Sequence, residues 1–160
     1  MHLLKKHSLS LAVFLLIIAL IQVVGSICTL SSVKSWYPLL VKPSWNPPAF
    51  VFAPVWTALY LMIAIAGWRI FIKKGEHKKK KTALFLYGLQ LFFNFAWSYL
   101  FFYLKSPLLG MIDIFLILIF LYLTIRAFYH LDKIAAYLLI PYLLWTVYAM
   151  TLNVALWRLN

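Results

Sequence analysis

Acids are almost missing from this chain: three Asp and Glu stand against fifteen Lys and Arg in 160 residues. Only Asp113 falls inside a long apolar run, and no second acid or histidine accompanies it there, as a proton relay would require. Cysteine is reduced to Cys28, which allows no internal disulfide and no CxxC pair. The four histidines, His2, His7, His77 and His130, lie in the N-terminal tail or near the ends of apolar runs, and none has a cysteine or acid at metal-ligand spacing. A nucleophile–base pair and a phosphate-binding loop are missing too. No metal site and no cofactor is expected, and a haem iron would find no histidine or cysteine ligand within the apolar runs.

What is present is apolar surface. The chain is 66% hydrophobic with a mean hydropathy of +0.94, which excludes an ordinary soluble domain. Five stretches reach the roughly 20 apolar residues that span a bilayer core: Ser8–Leu30, Ala49–Ile72, Thr82–Leu104, Pro107–Tyr129 and Ile134–Trp157. They use up most of residues 1–160, so one five-helix membrane domain is expected. The first stretch follows Lys5 and Lys6 as a signal peptide would, but it is too long for a typical signal core, and Ile27 rather than a small residue precedes Cys28. It reads as the first span.

The net charge of +12 does not point to nucleic acid, because the cations sit at the ends of spans. Six lysines crowd the short link 73–81 (KKGEHKKKK), where a basic juxtamembrane loop is retained in the cytoplasm and meets anionic head groups. With the N-terminus inside, eleven of the fifteen Lys and Arg lie on the inner side. The expected topology is therefore a cytoplasmic N-terminus and an outer C-terminus in a cell membrane.

The link from 31 to 48 is the longest, and its setting is unusual. Residues 36–56 read WYPLLVKPSWNPPAFVFAPVW, with five prolines and three tryptophans. Proline fixes φ and restricts the residue before it, so Lys42-Pro43 and Asn46-Pro47-Pro48 hold a stiff, extended path. Two readings fit the loop alone: an aromatic lid over a cavity, or a belt of Trp36, Tyr37 and Trp45 at the head-group level. The links at 105–106 and 130–133 are tight, so the third, fourth and fifth spans are expected to pack as antiparallel neighbours.

Polar residues in the spans narrow the choice. In the third span Gln90, Asn94, Trp97 and Phe101 recur at helical spacing, with Ser98 beside Trp97. Gln90 and Asn94 need partners there, either as interhelical glue or toward a ligand. At about 1.5 Å rise per residue, Trp56, Asn94, Trp97, Trp145 and Ala149 all lie roughly 10–19 Å below the outer ends of their helices. Tryptophans at that depth are misplaced for a belt, and a shared pocket accounts for them. Pro141 is expected to kink the last span and free a carbonyl, while Ala149 leaves space one turn beyond Trp145. Asp113 reads as a structural carboxylate paired with a lysine or capping a neighbour.

Three segments carry a family likeness: WYPLLVKPSWNPPAFVFAPVWTALY (36–60), QLFFNFAWSYLFF (90–102) and PYLLWTVYAMTLNVALWRLN (141–160). They resemble the TspO/translocator protein family, also called tryptophan-rich sensory proteins and peripheral benzodiazepine receptors, over essentially the whole chain. The resemblance implies a five-helix bundle whose first loop caps a pocket for porphyrins such as protoporphyrin IX, or for isoquinoline-carboxamide and benzodiazepine-type ligands. It implies ligand-binding positions at Tyr37, Trp45 and Pro47 in the loop, Trp56 in the second span, Asn94, Trp97 and Ser98 in the third, and Trp145, Ala149 and Leu152 in the fifth, and Tyr60 and Gln90 join them as candidate ligand-binding residues. A sensor or receptor is the function it implies first. Light-dependent breakdown of protoporphyrin is the alternative, with Trp56 and Trp145 as the catalytic pair, and a porphyrin transporter is a third reading. A homodimer is implied as well. The sterol motif of vertebrate members is broken, because Val154 and Ala155 stand where it needs a tyrosine before Arg158.

Overall fold

The computed structural model describes the backbone of residues 2–160 and side chains from His7 onward; the side chains of Lys5 and Lys6, counted in the charge bias, lie outside the described ones. With no water in a bilayer core, backbone groups must bond within their own segment, and the chain answers with helices and, among the described residues, no strand. They are α1 (His2–Leu30), α2 (Ala49–Ile72), α3 (His77–Ser98), α4 (Pro107–Leu131), α5 (Lys133–Leu138) and α6 (Ile140–Leu159). Among the described residues five spans are long and apolar enough to cross a membrane, the fifth being α5 and α6 together, Lys133–Leu159.

Local chemistry sets the boundaries. Ser106 caps α4, its hydroxyl accepting from the Leu109 amide at 3.2 Å, and Pro107 follows in the first turn, where a missing N–H costs nothing. The α2–α3 link turns sharply through Gly75 and Glu76, both at positive φ. Asp132 ends α4 and caps α5 by accepting from the amides of Ile134 (2.9 Å) and Ala135 (3.3 Å). The same carboxylate holds Arg69 of α2 at 2.9 Å. The fifth span breaks at Leu139 because Pro141 lacks the amide that would continue the ladder, as the sequence leads one to expect. The last turns of α3 widen into a π-helical stretch, Tyr99–Tyr103.

The spans form a ring. α1 packs on α2 and α3, α3 on α4, α4 on α5 and α6, and α2 closes the ring chiefly through α5. The expected antiparallel packing of the last three spans is therefore present. α2 touches the long α6 far less than the short α5. The ring is tight at the end carrying Lys73–Lys81, here the basic end, and looser toward the opposite end, here the loop end.

At the basic end small residues let the helices meet: Ala64, Ala66, Ala83 and Ala135 are fully buried. Gly67 goes furthest, since a Cβ there would lie 2.6 Å from the ring of Tyr87. Tyr87 crosses this gap to donate to the Ile63 carbonyl at 3.0 Å. Outward positions such as Leu16, Phe50, Phe85, Phe92 and Leu144 are exposed and apolar, as lipid-facing positions are.

Gly67→Ala should therefore lower the denaturation midpoint in detergent by the equivalent of about 1–3 kcal/mol, because the rings of Tyr87 and Phe14 must shift. Gly88→Ala, whose Cβ would meet nothing within 4 Å, should cost nothing measurable.

Burial alone would raise the Asp132 carboxyl, but the Ala135 amide, the Arg69 guanidinium and the Ile134 amide outweigh it and hold the group below the ordinary carboxylate range. Its contribution to stability is thus complete above that range and lost as pH falls through the folded-state value. Denaturation followed against pH should show the midpoint dropping below about pH 4. Asp132→Asn should flatten that drop and remove about 1–2 kcal/mol at neutral pH.

Candidate functional site

Toward the loop end, α2, α3 and α6 meet around one amide. Asn94 of α3 accepts from the Tyr60 hydroxyl of α2 at 2.8 Å and donates to the Tyr142 hydroxyl of α6 at 2.9 Å. Asn94 and Tyr142 are buried, so each bond sits where water cannot replace it. Trp56, one turn before Tyr60, lies 5.3 Å from the Tyr60 ring and 6.2 Å, edge-on, from that of Tyr142. The helical spacing that puts Trp56 and Tyr60 on one face is the reason they act together.

Where α2 and α6 part, an open groove of about 590 Å³ runs beside this cluster, lined by Val55 and Leu59 of α2, Pro141, Leu144, Trp145 and Tyr148 of α6, and Pro47 of the first loop. Trp145 contacts Phe52 at 6.0 Å and Tyr148 at 5.5 Å.

The loop over this end is tied down in three places. The Ser32 hydroxyl donates to the Phe102 carbonyl, Asn160 exchanges two bonds with Val41 (2.9 and 3.1 Å), and Tyr148 donates to the Trp45 carbonyl at 2.7 Å. Within it, Tyr37 donates to Asn46 at 3.2 Å beneath the Lys42 ammonium, 4.7 Å from its ring. Burial pushes the Tyr37 hydroxyl above its ordinary range against the pull of that bond.

The expected site residues thus fall into groups. Trp56, Tyr60 and Asn94 are brought together, and Tyr142 joins them. Trp145 and Pro47 share the groove. Tyr37 and Trp97 belong to a second aromatic cluster with Phe101 and Phe102, in which Trp97 stacks on Phe101 at 5.1 Å. Trp45 is 54% exposed and contributes its carbonyl. Ala149 offers its carbonyl to Asn153 at 3.1 Å, and Leu152 is buried. Ser98 turns toward α1, where a Cβ on Gly25 would lie 3.2 Å from its hydroxyl. Gln90 is fully buried, and neither of its amide atoms has a partner among the described residues. The expected lysine partner of Asp113 is not there: its Oδ2 is buried without a hydrogen bond, and it forms no ion pair among the described residues. The basic side chains nearest in sequence to this level, such as Lys105, stay exposed at the helix ends.

Sequence reasoning passed over Tyr142 and Tyr148. Their signal was available, a hydroxyl on each side of Trp145 at helical spacing, but tyrosine in an apolar run reads equally as packing.

These features define a class: an integral membrane bundle of five spans, set in a lipid bilayer, with an apolar groove beside a buried polar bridge. The model of the TspO/MBR family matches residues 12–158. The chain is 38% identical to the tryptophan-rich protein TspO of Chlorobaculum tepidum, over 98% of this chain and 99% of that one. It is 35% identical to the tryptophan-rich sensory protein of Cereibacter sphaeroides, over 93% and 92% of the two chains. Likeness to the human translocator protein is 36%, over 78% of this chain and 75% of that one. The chain belongs to the TspO/MBR family.

Asn94→Ala would leave both tyrosine hydroxyls without their partner. The expected loss is about 1–3 kcal/mol in reversible denaturation, against roughly half of that for Tyr60→Phe, which breaks one bond only.

Proposed function

We propose that this protein is a membrane receptor that senses a flat, amphipathic small molecule, a tetrapyrrole of the protoporphyrin IX type foremost, bound between α2 and α6 beneath the first loop. The observation that carries the reading is the open apolar groove of about 590 Å³ with Trp145, Tyr148 and Pro47 on its walls, next to the cluster in which Trp56 meets Tyr60 and Tyr142. A groove of that volume is within the range of small-molecule sites, and the Trp145 and Tyr148 rings offer flat faces to a planar guest. The names of relatives, tryptophan-rich sensory protein among them, support a sensing role. Isoquinoline-carboxamide and benzodiazepine-type compounds would occupy the same space.

In this reading residues 31–48 act as the lid, with the Tyr148–Trp45 bond as its latch. Tyr37, Trp45, Gln90, Trp97, Ser98, Ala149 and Leu152 are the further ligand-binding positions, within a single domain that works as a homodimer in the cell membrane. The lysine-rich basic end faces the cytoplasm, which puts the lid and the C-terminus outside.

A second reading, light-driven breakdown of the porphyrin, is favoured by one observation: Trp56 and Trp145 each have an aromatic neighbour within 6 Å that can share an electron hole, Tyr60 at 5.3 Å and Tyr148 at 5.5 Å.

Titration of the purified protein with protoporphyrin IX in the dark tests the first reading. Saturable binding is expected, weakened about tenfold by Trp145→Ala and little changed by Trp145→Phe. Affinity untouched by Trp145→Ala would remove the groove from the site. Illumination separates the second reading: a Trp56→Phe, Trp145→Phe double variant that still binds but forms no product supports catalysis, and a wild type that forms none excludes it.

A further inference from the structure

We infer that Asp113 and Asn153 form a polar wall of the bundle interior and place a second requirement on its ligand: a nitrogen that donates hydrogen bonds, foremost a protonated amine. The inference rests on the interior being a ligand site, and it adds residues and a ligand chemistry to that site.

The geometry begins at Gly110. There α4 comes so close to α6 that a Cβ would lie 2.9 Å from Asn153 Oδ1 and 2.7 Å from the Phe101 ring. The two helices are antiparallel, so one turn deeper on each brings Asp113 opposite Ala149, the smallest side chain in that part of α6. Asn153 donates one of its two amide hydrogens to the Ala149 carbonyl at 3.1 Å, and its Oδ1 is an acceptor on the side of α6 that Gly110 of α4 approaches. Asp113 is 2% exposed and Asn153 3% exposed, and neither Asp113 Oδ2 nor Asn153 Oδ1 has a partner among the described residues. Its burial places Asp113 on the side of α4 turned toward the other helices.

Asp113 Oδ2 and Asn153 Oδ1 are two buried acceptors open to a donor supplied by a guest. A carboxyl group in a membrane interior is costly without a partner, and a cation or N–H group supplied by a guest offsets that cost for both oxygens together. The indole N–H of Trp97, also buried without a partner, would serve a carbonyl or ether oxygen on the same guest. The competing account is a structural water bridging the two oxygens. A water would satisfy the wall without selecting among ligands.

The test uses 4-phenylbutylamine and 4-phenylbutan-1-ol, which share a skeleton and differ in the terminal group, titrated calorimetrically into full-length protein in a non-ionic detergent at neutral pH, where the amine is protonated. The amine should bind the wild type at least about tenfold more tightly than the alcohol. Asp113→Asn, nearly isosteric, should bring the ratio to about one by weakening the amine while the affinity of the alcohol stays within about twofold. Equal binding of the two probes by the wild type overturns the inference without any variant, and so does a preference that survives Asp113→Asn. Failure of protoporphyrin to bind the wild type would instead sink the tetrapyrrole reading and leave the amine preference standing or falling on its own titration.

Discussion

Pro141 has no amide hydrogen, and in a bilayer no water takes over the ladder position it leaves. The fifth span therefore divides into a short α5, which packs on α2, and a long α6, which touches α2 much less. The groove, the exposure of one face of Trp145 and the reach of Tyr148 to the first loop all depend on that division. An unbroken helix would carry the close packing of Ala135 and Ala136 on toward the loop end and bring Leu144 and Trp145 against Val55 and Leu59.

The two ends of the bundle solve different problems. At the basic end alanines and Gly67 bring backbones together and Arg69 ties α2 to the α4–α5 turn, so packing and one ion pair hold the ring shut. Toward the loop end Asn94 replaces that packing with two hydrogen bonds across the ring. Such a bridge keeps α2, α3 and α6 at fixed separation without filling the space between them. The buried polar atoms of Gln90, Trp97, Asp113 and Asn153 that lack partners all belong to α3, α4 and α6. Each carries a cost of about 1–3 kcal/mol when unpaired, a cost that a rigid ring can sustain where a loosely packed one would rearrange to relieve it.

The first loop draws its order from helices far from it in sequence. Ser32, Val41 and Trp45 are bound to Phe102, Asn160 and Tyr148, so the prolines supply a stiff path and the helix ends decide where it lies. The π-helical stretch Tyr99–Tyr103 matters here, because the extra residue per turn re-aims the end of α3 so that Phe101 and Phe102 point at Trp36 and Tyr37.

Chain composition and order alone determined the five spans, their limits to within a few residues, the break at Pro141 and the polar stripe on α3. These follow from local rules: apolar length against bilayer thickness, missing amides at proline and the helical repeat. The partners were decided only by tertiary structure. Asn94 found Tyr60 and Tyr142 while Gln90, one turn away on the same stripe, found none among the described residues; Trp97 joined Phe101 and Phe102; Ser98 turned to α1; and Asp113 was buried without the expected lysine. Spacing within one helix says which residues share a face. Which other helix covers that face, and at what rotation, depends on how small residues such as Gly67 and Gly110 let pairs of helices approach, a property of two surfaces at once that no single segment contains.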